Sequence, residues 1–368
     1  MSLSFKTGIT ALCAIAFLMG CEIRDPNTFT LRIGAGHPAG PAVYATEMRD
    51  YFVPEVERRV ASETKYKVNF VEGYGGSIAS PAETLEAVQS GILDIGGYCV
   101  CFEPSKLFLH NFMYFTPFGP KESVQSIAVA RKIYEQHPWL EEQLNHDYRQ
   151  RLLALNGWDN YHLGTVQPWQ SIADLRGVKI GGAGPNLPWL EYAGVIPVQS
   201  SLPEGYLALE TGVYDGWLMF PSAYYSFKFH EPAPHYTLIN FGAMGGAVIV
   251  TMNNKRFEKL PPEVQKIITE VAQDYERSAA LSLDARQTQG LVDLKNSGAT
   301  VSELPLESRA VWAKSLSGFP NDMAQEANSR GMPGTAVMQS YIDELTNDGH
   351  DWLTQYTIEQ PQSSQSGE

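Results

Sequence analysis

The stretch Ser171–Trp217, SIADLRGVKIGGAGPNLPWLEYAGVIPVQSSLPEGYLALETGVYDGW, decides the fold that we expect for this chain. It alternates three predicted strands with two predicted helices, NLPWLEYAG and PEGYLALETG; the strands are Val178–Ile180, Val195–Gln199 and Val213–Met219. Such alternation favours a parallel sheet with helices on both faces. Ligands of such sheets bind at the carboxyl ends of the strands, so Gly181–Gly184 and Trp217–Phe220 are expected to line a pocket.

The same alternation of strands and helices precedes this stretch. Two helices, Ala42–Ser62 and PAETLEAVQSG, separate three predicted strands at Phe29–Ala35, Lys67–Glu72 and Asp94–Val100. Further along, one long helix is predicted from Pro261 to about Asn296, followed by a strand, ATVSEL, and two final helices. The polar tail QPQSSQSGE is expected to be disordered. The chain as a whole therefore predicts open α/β sheets.

Length and composition exclude several classes of protein. The chain has 368 residues, which suits two domains or one large one, and its net charge is −14. The acidic charge argues against nucleic acid as a partner, because phosphate binding requires a basic surface. The sequence contains no His-Glu-x-x-His, Gly-x-Ser-x-Gly, P-loop or dinucleotide-binding motif. We therefore expect no catalytic residues, no cofactor and no metal.

The amino terminus has the pattern of an export signal. Lys6 precedes the apolar run Ile9–Met19, which is too short to span a bilayer comfortably. The run ends in Leu-Met-Gly-Cys at residues 18–21, which resembles the cleavage box of bacterial lipoproteins. We expect residues 1–20 to be removed, Cys21 to carry lipid, and the mature protein to be periplasmic and tethered by that lipid. The alternative is an ordinary secretory signal with a chance cysteine.

Cys99 and Cys101 are the two cysteines that would remain unmodified in the mature chain. On a continuous strand their thiols would face the same side, but a bridge between residues so close would strain disulfide geometry. A metal site is conceivable, although no His or Cys lies nearby in the sequence to complete it. Of the three states, we favour buried free thiols.

Six segments, taken in order, resemble the solute-binding proteins of TRAP (tripartite ATP-independent periplasmic) transporters. They are GYGGSIASPAETLEAVQSGILDIG, GWDN, IADLRGVKI, GYLALETGVYDG, YYSFKFHEPAPHYT and KLPPEVQKII. The resemblance covers the chain from Phe29 to about Tyr341. It implies a small-molecule solute and the membrane permease subunits of the transporter as partners. An enzyme is the main rival class, and a binding protein of an ATP-driven importer and a lipoprotein sensor subunit are the other two.

The resemblance also implies a two-lobed periplasmic solute-binding fold of the α/β class. Open mixed sheets flanked by helices would form two lobes, which crossing strands and a long bracing helix would join. The expected divisions are residues 21–28 for a lipid tether, 29–153 and 243–300 for lobe I, 154–242 for lobe II, 301–355 for helices packing across both lobes, and 356–368 for a disordered tail. The lobes would close over solute by a hinge motion.

The chain departs from the family's pattern at the residues expected to hold a carboxylate. The family usually has Arg directly after the Lys-Ile of the second-lobe strand, and this chain has Gly181. On a gapless comparison, Met219 takes the place of a ligand-facing Asn. The family also has an Arg shortly after the residue matching Trp158, whereas Asn160–Leu163 contains none. Polar anchors are thus exchanged for aromatic rings and a thioether.

Two hypotheses for the ligand follow. In the first, an aromatic cleft binds an apolar or aromatic organic acid, whose carboxylate meets backbone N–H groups at the Gly181–Gly184 helix start, His37 or tyrosine hydroxyls. In the second, the aromatic rings form a cage for an amine or a quaternary ammonium, with Glu103 or Glu72 as counter-charge. The candidate ligand-binding residues are His37, Tyr74, Tyr98, Glu103, Trp158, Tyr161, Gly181, Trp217, Met219, Phe220 and Phe241.

Overall fold

The computed structural model describes residues 25–360. Its strands are β1 Thr28–Ala35, β2 Lys67–Gly73, β3 Ile95–Cys99, β4 Gln150–Trp158, β5 His162–Thr165, β6 Lys179–Gly182, β7 Ile196–Gln199, β8 Gly216–Met219, β9 His235–Leu238, β10 Met244–Asn253 and β11 Thr300–Glu303. Its α-helices are α1 Val43–Glu47, α2 Val53–Glu63, α3 Thr84–Ser90, α4 Ser123–Gln136, α5 Trp139–Tyr148, α6 Leu202–Glu210, α7 Pro221–Ser226, α8 Asn254–Glu258, α9 Pro262–Asn296, α10 Leu306–Ser315, α11 Phe319–Ser329 and α12 Gly334–Asn347.

The first lobe is built on a five-stranded sheet with the order β2-β1-β3-β10-β4. Strands β1, β2 and β3 are parallel, and β10 runs antiparallel to both β3 and β4. The helical segment after β1 is continuous, because a π-helical turn at Met48–Phe52 joins α1 to α2. The buried apolar residues of this segment, such as Val56 and Val60, recur every fourth position. The predicted succession of strand and helix is confirmed in this lobe.

The second lobe is built on a six-stranded sheet with the order β11-β9-β5-β8-β6-β7. Within it, β6 is parallel to both β7 and β8, as the opening stretch predicts. The segment predicted as the helix NLPWLEYAG is instead a 3₁₀ helix, Leu187–Ala193, which ends at Gly194 with φ of 65°. Short helical pieces often take the tighter 3₁₀ form, and Pro188 removes one backbone donor from its first turn.

Two segments cross between the lobes beside one another. One follows β4 and contains Tyr161, and the other precedes β10 and contains Phe241 and Gly242. The backbone N–H of Tyr161 donates to Gly242 at 3.1 Å, and that of Phe241 donates to Tyr161 at 3.1 Å. The side chain of Asn160 accepts a further bond from the N–H of Gly242 at 2.9 Å. These bonds make a narrow two-stranded connection with few residues that can act as hinges.

The long helix α9 packs against both lobes. It contacts α2, α4 and β4 on one side and α7 on the other. Glu276 of this helix accepts a bond from the backbone N–H of Leu155 in β4 at 2.7 Å. At the far end, a Cβ on Gly290 would lie 2.8 Å from the backbone of Pro221, so glycine allows α7 its close approach. A helix of 35 residues is about 50 Å long, enough to brace both lobes.

The carboxyl-terminal part differs from the prediction in three ways. Strand β11 pairs with β9 and so belongs to the second sheet, although residue 300 was expected to close lobe I. Three helices follow it instead of two. Disorder from residue 356 is wrong for the first part of the tail, because Tyr356 is buried and its hydroxyl donates to Pro117 at 2.6 Å.

Residues 361–368 lie outside the described part of the chain, as do residues 1–24, which contain the predicted signal and Cys21. Between residues 25 and 360, the chain forms no helix of the length and apolar character that crossing a membrane requires.

Candidate solute-binding site

A small cavity lies between the two sheets, at the point where strands of both lobes end. It measures about 20 Å³. A space of this size holds about one water molecule, so an organic solute enters only if the lobes separate or side chains move. Its lining residues are His37, Cys101, Phe102, Trp158, Tyr161, Ala183, Ser200, Leu202, Trp217, Leu218, Met219 and Phe220.

An aromatic cluster forms the centre of this lining. Trp158 ends β4 of the first sheet, and Phe220 follows β8 of the second. Their rings stack with centroids 5.3 Å apart at an interplanar angle of 16°. Tyr161 meets Phe220 edge-on at 5.2 Å. The stack thus joins the end of a first-lobe strand to the end of a second-lobe strand.

His37 contributes a neutral polar group to the cavity. It follows β1 in a loop and is 2% exposed. Its Nδ1 lies 2.9 Å from the hydroxyl of Tyr44, and its ring meets Trp158 edge-on at 5.6 Å. Burial lowers the pKa of His37 to about 4. The imidazole is therefore uncharged at neutral pH and can offer a hydrogen bond to a solute but no positive charge.

The ring of Trp217 explains why residue 181 is a glycine. A Cβ at position 181 would lie 2.5 Å from Cε3 of Trp217, and one on Gly205 would lie 3.0 Å from Cζ3 of the same ring. The indole, which is 1% exposed, thus fills the space that any side chain at position 181 would need. An arginine there is incompatible with Trp217 as placed. Gly181 itself does not line the cavity, so its predicted role is indirect: it admits the tryptophan.

The backbone at Gly181–Gly184 offers a weaker anion site than the sequence predicts. The helix that follows is a seven-residue 3₁₀ helix, and its first N–H, that of Leu187, already donates to Gly184 at 3.0 Å. The macrodipole expected of a long α-helix is therefore missing at this point. Ala183 is the residue of this loop that lines the cavity.

Two predicted aromatic residues lie in cores instead of the cleft. Tyr98 points into the first lobe, where its hydroxyl donates to Oε1 of Gln150 at 2.8 Å. Phe241 is fully buried on the connection between the lobes and packs against Trp189 at 5.2 Å and Trp312 at 5.4 Å. Strand alternation explains why Tyr98 faces the core, because neighbouring residues of β3 face opposite sides of the sheet. Neither residue is among those that line the cavity.

The predicted counter-charges for a cation are also displaced from the cavity. Glu103 is buried outside the cavity lining; its Oε2 lies 3.0 Å from Nζ of Lys106, and its Oε1 is buried without a hydrogen-bond partner. Burial raises the pKa of Glu103, and the Lys106 hydrogen bond opposes that shift. Glu72 is exposed. Tyr74 is half-buried and does not line the cavity; burial, followed by the nearby charge of Glu72, raises its pKa.

Cys99 and Cys101 form a disulfide, which corrects the expectation of free thiols. The expectation assumed a continuous strand. Instead, β3 ends at Cys99 and a 3₁₀ turn follows at Val100–Phe102, which brings the two Cα atoms to 5.1 Å, a spacing that a disulfide spans. The indole Nε1 of Trp158 donates to Sγ of Cys99 at 3.4 Å. The disulfide thus supports the central ring of the cavity.

Sequence reasoning missed four lining residues: Cys101, Phe102, Ser200 and Leu202. All four lie one to three residues after the carboxyl end of β3 or β7, so the rule used for Gly181–Gly184 would have found them if applied to these strands as well. Within residues 25–360, no cluster of three or more metal-ligating side chains occurs.

Asp159, directly after Trp158, is a buried carboxyl group at the connection between the lobes. Its Oδ1 accepts a bond from the hydroxyl of Ser222 at 3.1 Å, and its Oδ2 one from the N–H of Ser222 at 3.4 Å. Burial raises the pKa of Asp159 to about 7, although these two bonds lower it. The group therefore ties the crossing segment to α7 while carrying a proton for part of the physiological pH range.

Comparison with known proteins identifies the family. The model of the family DctP, "Bacterial extracellular solute-binding protein, family 7", matches residues 43–326, which is more than half of the chain. The C4-dicarboxylate-binding periplasmic protein DctP of Rhodobacter capsulatus is 35% identical over 138 residues, which are 36% of this chain and 39% of that protein. The chain thus matches well under half of this relative's length.

Solved structures share the fold at low identity. A marine metagenome TRAP solute-binding protein specific for aromatic acid ligands, in complex with 3-hydroxybenzoate, gives a TM-score of 0.77 at 20% identity over 88% of this chain and 99% of that one. A TRAP solute-binding protein of Rhodoferax ferrireducens with benzoate gives 0.75 at 18% identity over 86% and 98%. The predicted two-lobed α/β fold is confirmed. This chain belongs to family 7 of the bacterial extracellular solute-binding proteins, the family of TRAP transporter solute receptors.

Proposed function

We propose that this protein is the periplasmic receptor of a TRAP transporter and that it captures an apolar or aromatic organic acid between its lobes. The observation that carries the proposal is the lining of the cavity, which combines aromatic rings with neutral hydrogen-bonding groups. Among the lining residues of the described chain there is no Arg, Lys, Asp or Glu. His37 and Ser200 are the side chains that meet a carboxylate, and the rings pack on the apolar remainder.

The same lining disfavours the amine or quaternary ammonium alternative. A cage for a cation needs ring faces that point at the ligand. The faces of Trp158 and Phe220 are stacked on each other instead. A buried cation also needs a carboxylate partner, and no carboxylate lines the cavity, since Glu103 lies outside the lining and contacts Lys106. The rings and the missing arginine remain the reason to keep the cation as the second candidate.

The relatives support an acid as well. Solved structures of the same fold were obtained with 3-hydroxybenzoate and with benzoate. In our proposal the lobes close over such an acid by bending at residues 158–161 and 240–243, and the closed form passes the solute to the permease. In this proposal lobe I comprises residues 29–158 and 243–299, because β4 belongs to the first sheet as far as Trp158, and lobe II comprises residues 159–242 together with β11. The receptor itself catalyses no reaction.

A thermal-shift panel tests the choice of ligand class. The panel contains benzoate as the acid, benzyltrimethylammonium as the cation and benzyl alcohol as the neutral control. A ligand at 100 times its Kd stabilises the folded state by about 2.7 kcal/mol, which raises Tm by roughly 3–4 °C for a chain of this size. Stabilisation by benzoate alone supports the proposal. A shift caused by the ammonium but not by benzoate overturns it in favour of the second candidate.

We further propose that lipid on Cys21 anchors the mature receptor. The motif ending at Cys21 supports this step. In cells that express the full chain, detergent phase partition should place the protein in the detergent phase, and Cys21→Ser should move it to the aqueous phase. An aqueous wild-type protein, processed to the same mass as the variant, would show an ordinary secretory signal instead.

A further inference from the structure

A second, larger groove lies along the same seam between the lobes. It measures about 260 Å³ and its walls are mainly apolar. The first lobe contributes Phe108 and Phe115, the second contributes Leu187, and α11 contributes Phe319 and Met323. Helix α11 thus forms an outer wall that belongs to neither sheet.

The groove adjoins the inner cavity at three loops, although no residue lines both spaces. Each loop contributes at least one residue to the inner cavity and another, one or two positions away, to the groove. The pairs are Phe102 and Pro104, Ala183 and Gly184, and Ser200 and Gln199. Because all three loops separate the two spaces, a solute that moves the loops slightly apart joins the cavity and the groove into one site.

Size favours a solute that uses both spaces. Small-molecule sites in proteins typically measure about 300–1,000 Å³. The inner cavity, at about 20 Å³, is far below this range, whereas the groove, at about 260 Å³, comes close to its lower end. An elongated solute fills the seam, and a compact one leaves the groove to water.

Asn111 sets the polarity of the groove. This residue lines the groove and is 1% exposed. Its Nδ2 donates to the carbonyl oxygens of Val100 at 3.2 Å and Leu107 at 2.9 Å, which fixes the orientation of the amide. Its Oδ1 is left buried without a partner. A buried acceptor of this kind is completed by a hydrogen-bond donor. Because Oδ1 is covered in the structure, an O–H or N–H of a solute reaches it only when this wall of the groove moves.

We propose that the groove is a second subsite, which holds the far end of an elongated aryl-alkyl carboxylic acid whose tip carries a hydroxyl group. The carboxylate lies in the inner cavity near His37 and Ser200, and the tip reaches the Asn111 side of the groove. The inference rests on the proposed function, because it takes the inner cavity as the acid site. It adds selection by the length of the solute, because α11 forms the wall that the far end of the solute contacts.

The test compares two probes on the mature wild-type protein, benzoate and 4-(4-hydroxyphenyl)butanoate, by isothermal titration calorimetry. We expect the longer acid to bind at least tenfold tighter. Met323→Trp, which fills the groove, should remove this advantage and leave the affinity for benzoate within about twofold. Met323→Leu is the matched control, because it conserves volume. Met323→Ala, which adds no bulk, should weaken the longer acid about three- to fivefold and spare benzoate.

The outcomes separate the two claims. If neither acid binds the wild-type protein, the acid function fails and the subsite fails with it. If benzoate binds and the longer acid binds no tighter, the subsite is refuted while the proposed function stands. The same holds if Met323→Trp and Met323→Ala leave the preference for the longer acid unchanged. Retained benzoate binding in each variant shows that the fold is intact.

Discussion

Replacing Gly181 by alanine tests whether Trp217 fills the space that an arginine would need. The new Cβ would lie 2.5 Å from Cε3 and 2.7 Å from Cζ3 of the indole. The ring cannot retreat, because it is fully buried, approaches Gly205 on another side and packs on Phe229 with centroids 5.2 Å apart. Overpacking of this kind costs about 1–3 kcal/mol, and the rigid surroundings lead us to expect about 2 kcal/mol.

The expected change in melting temperature follows from the size of the chain. Unfolding entropy is about 2.1 cal/mol/K per residue, which gives roughly 0.8 kcal/mol/K for a chain of this length. A loss of about 2 kcal/mol therefore lowers Tm by about 2–3 °C. Differential scanning calorimetry of the mature protein measures this shift. Gly318→Ala is the control, because its φ is −83° and a Cβ there would meet no atom within 4 Å.

A double-mutant cycle identifies the indole as the cause. In a Trp217→Phe background the atoms nearest to the new Cβ are removed, so Gly181→Ala should cost at least about 1 kcal/mol less than in the wild type. The reasoning is refuted if the Gly181→Ala variant has the same Tm as the Gly318→Ala control. It is equally refuted if the substitution costs the same amount with phenylalanine at position 217.

Three further predictions concern pH and redox state. The folded-state pKa of Asp159, about 7, lies above the value of an unfolded Asp, about 3.9, so the stability that the protonated carboxyl group contributes is present at low pH and is lost as pH rises through 7. Denaturant unfolding should therefore show Asp159→Asn gaining stability relative to wild type between pH 4.5 and 8. A difference in stability that stays constant over this range would contradict this. Because the pKa of His37 is lowered to about 4, the histidine stays neutral from pH 5.5 to 8. Calorimetry should then find the affinity for benzoate constant within about twofold over this range. A steep rise in affinity on acidification would show that the imidazole is charged. Thiol titration of a chain starting at Asp25 should find none before reduction and two afterwards, from Cys99 and Cys101; two thiols without reductant would disprove the disulfide.

The fold was largely predictable because its signals are local. The alternation of apolar strands with helices located β1, β2, β3 and the β6–β8 unit to within a few residues. The long helix α9 was predicted almost to the residue, since its apolar positions recur every three or four residues and Pro262 and Gly298 mark its ends. The pairing of β11 with β9 was not predictable in this way, because it joins strands more than 60 residues apart in the chain.

The candidate site was less predictable because it depends on which side of a strand each residue faces. Trp158 and Phe220 follow the rule of strand ends, and the structure places both in the cavity lining. Tyr98 satisfies the same rule by position but faces the core and bonds to Gln150. The turn that brings Cys99 to Cys101 has no signal in the sequence that we could identify. Contacts between the lobes, such as the groove beside α11, need the full fold.

The most direct test of the central claim is the ratio of two affinities on the wild-type receptor. Calorimetry with benzoate and with benzyltrimethylammonium, matched in ring and opposite in charge, measures it under one buffer condition. A neutral lining with hydrogen-bonding groups at His37 and Ser200 and no carboxylate in contact predicts that benzoate binds at least tenfold tighter. Equal or tighter binding of the ammonium would contradict the account.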